Sequence, residues 1–221
     1  NFTFIDAPFN LKYYKKGDYN TEIATMGCRT RVFSSVFPES DGIVTGRGNN
    51  SFTTINLVRL GIKHGIALKE RKEADWTGFY KELDDLMDLC KDQLLERYEF
   101  QDNQHVRNFP FLMGEGNWFG SEKLKPNDTL RDVIKHGSLS IGFIGLAETL
   151  VAMIGKHHGE SEEARELGLD IITHMSKRCD EYAKKYHLNF GLIGTPAEGL
   201  SGRFTKIDRK EYGTIKGVTD R

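Results

Sequence analysis

Two long apolar stripes constrain this chain before anything else is considered. Between Asp75 and Tyr98, the residues Trp76, Phe79, Tyr80, Leu83, Met87, Cys90, Leu94 and Tyr98 recur at spacings of three and four. That is the signature of an amphipathic helix about 24 residues, and so about 36 Å, long. Between Glu160 and Tyr186 the pattern repeats in Ala164, Leu167, Ile171, Met175, Cys179, Tyr182 and Tyr186. Such helices need an apolar surface to lie on, and short runs supply it. Gly137 to Leu146 alternates small with apolar residues, which suits a buried strand approached closely by another backbone. Leu188 to Ile193 reads as a further strand. Long helices alternating with short apolar strands predict an α/β architecture.

The remaining segments are less regular. Residues 1–14 are aromatic-rich with a Pro and no helical period, predicting an extended opening segment and then a turn at Lys16-Gly17-Asp18. Arg31 to Phe37 fits a short strand or an irregular excursion, and Pro38 to Gly42 turns the chain. From Ser51, the residues Phe52, Ile55, Leu57, Leu60 and Ile62 mix two periods, so Asn56 to Leu60 opens either a strand-to-helix junction or a helix. Residues 101–126 lack a period, and a long connection with one short strand around Phe109 to Met113 is expected. Asn127-Asp128 predicts the cap of a short helix, Thr129 to Lys135. Ala147 to Ile154 predicts another, ended by Lys156-His157-His158-Gly159.

Composition closes off several functions. The 221 residues suffice for one large domain, and a hydrophobic fraction of 38% with 29% charged residues describes a soluble globular protein. No apolar run approaches the roughly 20 residues of a membrane span. A net charge of −1 provides no field for a nucleic acid polymer, although a local helix end can still hold one nucleotide. Three distant cysteines form neither a disulfide framework nor a C-x-x-C zinc pair, so a reducing, cytoplasmic setting is expected and no metal in this chain. Cys90, Cys179 and His174 lie on or beside the helical stripes, where packing is their expected role. His157 and His158 diverge from a helix end without a third ligand. The chain begins at Asn1 without Met or a signal peptide and stops at Arg221 without a helix stop; both ends look cut, as in a piece of a longer polypeptide.

Three short stretches carry the candidate chemistry. Cys28, in Thr25-Met26-Gly27-Cys28-Arg29-Thr30-Arg31, is expected on a short polar loop with Gly before it and an Arg on each side of Thr30. Nearby guanidiniums favour a thiolate, so a reactive cysteine and an idle one both remain open. Gly46-Arg47-Gly48 is a weak turn or phosphate-loop signal. Thr195-Pro196-Ala197-Glu198 follows a strand; Thr before Pro starts a helix, and the amides that follow can hold a phosphate oxygen. An ordinary capped helix start explains it equally.

Taken together and in order, Met26-Gly27-Cys28-Arg29-Thr30, Gly46-Arg47-Gly48-Asn49, Thr54-Ile55-Asn56-Leu57, His136-Gly137-Ser138 with Ile141-Gly142, and Thr195-Pro196-Ala197-Glu198 with Ser201, Arg203 and Phe204 resemble the catalytic part of the anaerobic, glycyl-radical ribonucleoside-triphosphate reductases. The resemblance runs in register over essentially the whole chain. It implies a single catalytic-barrel piece spanning 1–221, part of the ten-stranded α/β barrel of ribonucleotide reductases and glycyl radical enzymes, with an internal finger loop bearing the cysteine. Cys28 matches the cysteine whose thiyl radical takes the hydrogen atom from C3′ of the ribose, a role that needs a thiol and not a standing thiolate. Asn49 matches the asparagine that hydrogen-bonds the ribose hydroxyls, and Met26 the methionine beside the thiyl cysteine in formate-using members. Glu198 matches a carboxylate at the ribose, while Thr195, Ala197, Gly199, Leu200 and Ser201 would hold the substrate phosphates.

For the full enzyme the resemblance implies a glycyl radical, a structural zinc, ATP and dNTP effectors, formate as reductant, a radical-SAM iron–sulfur activating protein and a homodimer. The family's glycyl radical segment and four-cysteine zinc site lie toward its C-terminus, and its second active-site cysteine and regulatory cone toward its N-terminus; none of these has a match in this chain. Val58 stands where Pro is common. The rival readings are another glycyl radical enzyme, a lyase or dehydratase, and a non-catalytic nucleotide-binding module of the same fold. The leading reading carries a spatial expectation: Cys28, Asn49 and Glu198 gather around one sugar.

Overall fold

The computed structural model describes residues 7–23, 25 and 31–220. Along it run β1 (Asn49–Asn56), α1 (Leu57–His64), α2 (Trp76–Asp102), α3 (Arg131–Ile134), β2 (Ser138–Ile144), α4 (Leu146–Ile154), α5 (Glu162–Tyr186), β3 (Asn189–Gly194) and α6 (Glu198–Tyr212). Among the described residues the strands form a parallel three-stranded sheet in the order β1-β2-β3. Parallel neighbours cannot be joined by tight turns, and each connection is a crossover through helices: α1 to α3 after β1, α4 and α5 after β2. On the central strand Leu139, Ser140, Ile141 and Gly142 are buried in succession, the unbroken burial of a strand covered on both faces. The chain is α/β, as expected, and the sheet is consistent with part of the ten-stranded barrel.

Both predicted long helices form, with clear start signals. Asp75 accepts the Gly78 amide at 2.8 Å and so caps α2; Phe79, Leu83, Met87 and Leu94 along its stripe are fully buried. Ser161 accepts the Ala164 amide at 3.2 Å ahead of α5, which carries Glu162 and Glu163 in its first turn and Lys184 and Lys185 in its last, matched to the helix dipole. α4 stops at Gly155, whose left-handed φ of 81° suits the residue without a Cβ.

Two compact units divide the chain: 1–52 with 92–140 and 180–191, and 53–91 with 141–179 and 192–221. In the first, Val106, Met113, Trp118, Leu130, Val133 and Ile134 make a core flanked by Tyr98 and Leu124, and the Trp118 indole donates to Val133 O at 2.8 Å. In the second, Ile62, Ala152 and Val218 pack with Val58, Val151 and Tyr212.

Several local expectations are corrected. The described part of the opening segment is a turn and a 3-10 turn at Leu11–Tyr13, not extended chain. Residues 31–37 take the irregular alternative. Asn56 is the strand-to-helix junction. Pro110–Gly114 is one π-helical turn and not a strand; Phe111 is 70% exposed while Met113 is buried. The helix expected at Thr129 shrinks to α3, because Asp128 caps the backwards turn to the Lys125 amide (2.8 Å) and Thr129 bridges to His105. At Gly142 the close approach comes from side chains: a Cβ there would lie 2.0 Å from Thr195 Oγ1 and 2.9 Å from Thr54 Oγ1.

Candidate active site

Described residues on either side of Cys28 in the sequence meet at one place in the first unit. Val44 N donates to Asn20 O at 2.7 Å, and Thr45 Oγ1 donates to the Asn20 side chain at 2.8 Å, closing a loop of which Cys28 is a sequence member. Met26 and Cys28 themselves lie outside the described residues, so their expected placement stays an expectation. Arg31, just beyond, donates to Asn10 and stands over the Phe9 ring at 5.0 Å.

From there the chain returns to β1 under the hold of Arg47. Arg47 is 7% exposed, and its guanidinium donates to the carbonyls of His136 (2.8 Å), Ser40 (2.9 Å), Ile43 (2.8 Å) and Ser34 (3.0 Å), with Phe33 O at 3.4 Å. Burial lowers its pKa to about 10, with Asp41 opposing the shift. Asn189 adds a second tie, accepting the Val36 amide at 2.8 Å and donating to Lys135 O at 3.1 Å. His136 completes the knot: its Nδ1 lies 2.9 Å from Ser40 Oγ, and burial, then Lys135, hold its pKa below the ordinary value.

Asn49 opens β1. Its amide sits between the hydroxyls of Ser138 and Ser140, at 3.2 and 3.1 Å. With its nitrogen turned toward β2, it donates to Ser138 O at 2.8 Å and Ser51 O at 3.0 Å, the orientation the surrounding partners favour.

The second unit holds the Thr195 to Ser201 stretch. Here the helix starts later than the sequence suggested: α6 begins at Glu198, its N-cap is Ala197, and no side chain caps it. Thr195 instead joins Thr54 through a 2.9 Å hydroxyl contact across Gly142. The amides of Thr195, Ala197 and Ser201 already donate to Phe143 O, Thr195 O and Ala197 O. Those of Glu198, Gly199 and Leu200 precede the first intrahelical bond and point out of the helix start, the arrangement that attracts an anion. Glu198 is exposed on that first turn. Behind it, Asp208 of α6 is wholly buried and accepts from Arg59 Nη2 (2.6 Å), Arg59 Nε (2.8 Å) and Asn56 Nδ2 (2.7 Å), tying α6 to the β1–α1 junction. Asn56, Gly145, Glu148, Ser201, Thr205 and Asp208 line a cavity of about 140 Å³ beside this knot.

The structure thus gathers the helix-start residues, and separately seats Asn49 among the serines. Sequence reading missed Arg47, Asn189 and Asp208 as organising groups. Arg47 alone left a trace, as the charged residue between two glycines. Among the described residues, no three His, Cys, Asp or Glu side chains stand together as a metal site.

The family described as anaerobic ribonucleoside-triphosphate reductase matches residues 1–221. The anaerobic ribonucleoside-triphosphate reductase of Haemophilus influenzae is 35% identical over 202 residues, which is 90% of this chain and 27% of that protein; that of Enterobacteria phage T4 is 33% identical over 203 residues, 90% and 31%. The chain therefore spans roughly a quarter to a third of these relatives' length. In fold it is similar to the crystal structure of the Thermotoga maritima anaerobic ribonucleotide reductase with citrate in the active site, at a TM-score of 0.54 and 16% identity over 83% of this chain and 30% of that one. The same enzyme with dATP bound in the specificity site gives 0.54, at 17% identity over 83% and 28%. With a match that runs from the first residue to the last, the chain belongs to the anaerobic ribonucleoside-triphosphate reductase family.

Proposed function

We propose that this chain is the catalytic-barrel piece, taken as one unit over 1–221, of an oxygen-sensitive enzyme that reduces ribonucleoside triphosphates to 2′-deoxyribonucleoside triphosphates. Cys28 as a thiyl radical takes the C3′ hydrogen atom, re-forming its S–H bond and leaving the ribose activated for loss of the 2′ oxygen as water. Formate is the reductant: its two electrons and hydrogen replace the departing oxygen, and carbon dioxide leaves. Asn49 hydrogen-bonds the ribose hydroxyls, Glu198 presents its carboxylate to the same sugar, and Met26 flanks the sulfur. The phosphates lie at the start of α6, with Thr195, Ala197, Gly199, Leu200 and Ser201 around them. In the complete enzyme a glycyl radical, installed by a radical-SAM iron–sulfur activating protein, supplies the oxidising equivalent, and the working form is a homodimer regulated by ATP and dNTPs.

The observation that carries this reading is the family match over residues 1–221. The amides of Glu198, Gly199 and Leu200, which precede the first intrahelical bond of α6, support it, being suited to a triphosphate. In the full-length, activated protein Cys28→Ser is expected to abolish reduction while leaving nucleotide affinity within about threefold, because a serine O–H does not yield its hydrogen atom and no phosphate contact is lost. Retained turnover would dismiss the radical role of Cys28.

A further inference from the structure

The amide of Asn49 has two ends, and its surroundings choose between them. Around one end lie Ser138 O at 2.8 Å, Ser51 O at 3.0 Å, Ser140 Oγ at 3.1 Å and Ser138 Oγ at 3.2 Å. A hydroxyl suits either end, because it can give a hydrogen bond or take one; a peptide carbonyl only takes. The serine hydroxyls therefore decide nothing and the two carbonyls decide the matter. Facing them, the amide oxygen would meet two acceptors with no proton between, whereas the nitrogen donates one N–H to each. Nor can the carbonyls swing away. Ser138 N donates to Gly48 O at 2.9 Å and joins β2 to the start of β1. Asn50 donates to Ile134 O at 2.8 Å, and its Oδ1 occupies the space beside Gly137, where a Cβ would lie only 2.1 Å from it. Arg97 donates to Ser51 Oγ and Phe52 O, both at 3.1 Å.

With both N–H bonds taken by backbone oxygens of β1 and β2, Asn49 has one group left to offer. Nitrogen and oxygen sit on opposite arms of a planar amide, so seating the nitrogen on the strands turns Oδ1 away from them. We infer that Asn49 meets the ribose only as a hydrogen-bond acceptor, through Oδ1, and so selects nucleotides whose sugar carries a hydroxyl able to donate. The inference rests on the assignment of Asn49 to the ribose proposed above, and adds the atom and the direction of the bond. Asn49 is thereby a specificity-determining residue: a sugar substituent that accepts but cannot donate sets two acceptors face to face, and a site built round a hydrogen bond rejects the analogue that leaves it unmade.

The test measures affinity in the full-length protein without activation, with one dNTP effector held constant. The probes are CTP and CTP analogues whose 2′- or 3′-hydroxyl is replaced by fluorine, which cannot donate, or by an amine, which can and is neutral at mildly alkaline pH. Wild type, Asn49→Ala and Asn49→Ser are compared; Asn49→Ser, whose hydroxyl can still donate to Ser51 O or Ser138 O, serves if Asn49→Ala does not fold. Dividing the amine-to-fluorine affinity ratio of wild type by that of a variant cancels what the substituents do to the sugar itself. At the hydroxyl that Asn49 meets, wild type is expected to prefer the amine on the order of tenfold, and both variants to bind the two analogues within about threefold of each other. A change of opposite sign, with fluorine preferred until Asn49 is replaced, overturns the inference and leaves Asn49 at the sugar through its nitrogen. Ratios that are the same in wild type and variants at both positions overturn the assignment of Asn49 to the ribose, and the inference with it; neither outcome touches the role given to Cys28.

Discussion

Glu198 opens α6 with its side chain exposed, where a carboxylate is favoured by the helix dipole but has no packing duty. Its replacement by Gln keeps shape and hydrogen-bonding reach and removes only the charge. On the proposed reaction, Glu198→Gln in the full-length enzyme lowers kcat by about a hundredfold, the scale of general acid–base assistance, with nucleotide affinity nearly unchanged; an equal loss in both would leave Glu198 a positioning role alone. Single residues were unevenly legible. Cys90 and Cys179 could be placed from the period of their helices, and both are buried. Arg47 could not, because its partners belong to an irregular limb whose shape no pattern announces. Thr195 read as a helix cap, yet its hydroxyl meets Thr54, a neighbour supplied only by the pairing of strands far apart in the chain.

Among the elements, α1 and α4 show how much of the second unit depends on missing side chains. A Cβ on Gly61 would lie 2.9 Å from Thr149 O, and one on Gly65 would lie 2.1 Å from Ala152 O, the carbonyl that accepts the Ile66 and Ala67 amides at 3.0 and 3.1 Å. Backbone cannot yield as a flexible side chain would. Gly65→Ala is accordingly expected to destabilise by about 3 kcal/mol, at the upper end for overpacking, read as a lower denaturant midpoint with an unchanged slope; a loss under about 0.5 kcal/mol, the range of neutral surface changes, would show that the helices can part. The long periodic elements α2 and α5 were legible with their faces, β2 with its burial, and α4 and β3 as a helix and a strand. The stretch from Phe109 to Met113 was not: its apolar residues suggest a strand, but Pro110 starts a helical turn that buries Met113 and leaves Phe111 in solvent. Short apolar runs carry too little period to separate the two outcomes.

For the molecule as a whole, acid should act through His136. Burial and the neighbouring Lys135 and Arg47 hold its pKa below 6.5, with Glu39 opposing. The unfolded chain takes up the proton near 6.5 and the folded chain only at lower pH, so stability is complete above about pH 6.5 and falls as pH drops through that value toward the folded one. The unfolding midpoint of the full-length protein is expected to drop from pH 7 to pH 5 by more in wild type than in His136→Gln; identical slopes would clear His136 of this role. Architecture at this scale was readable as α/β, while the site was readable only through its motifs, because the groups that seat Asn49 and α6 come from distant strands. Ionic strength is a different matter from acid. Arg47 gives its hydrogen bonds to peptide oxygens; the attraction of the Asp41 carboxylate is the part that dissolved ions shield, and the bonds to the carbonyls remain. The root of the cysteine loop keeps its grip in brine, where links between surface charges let go.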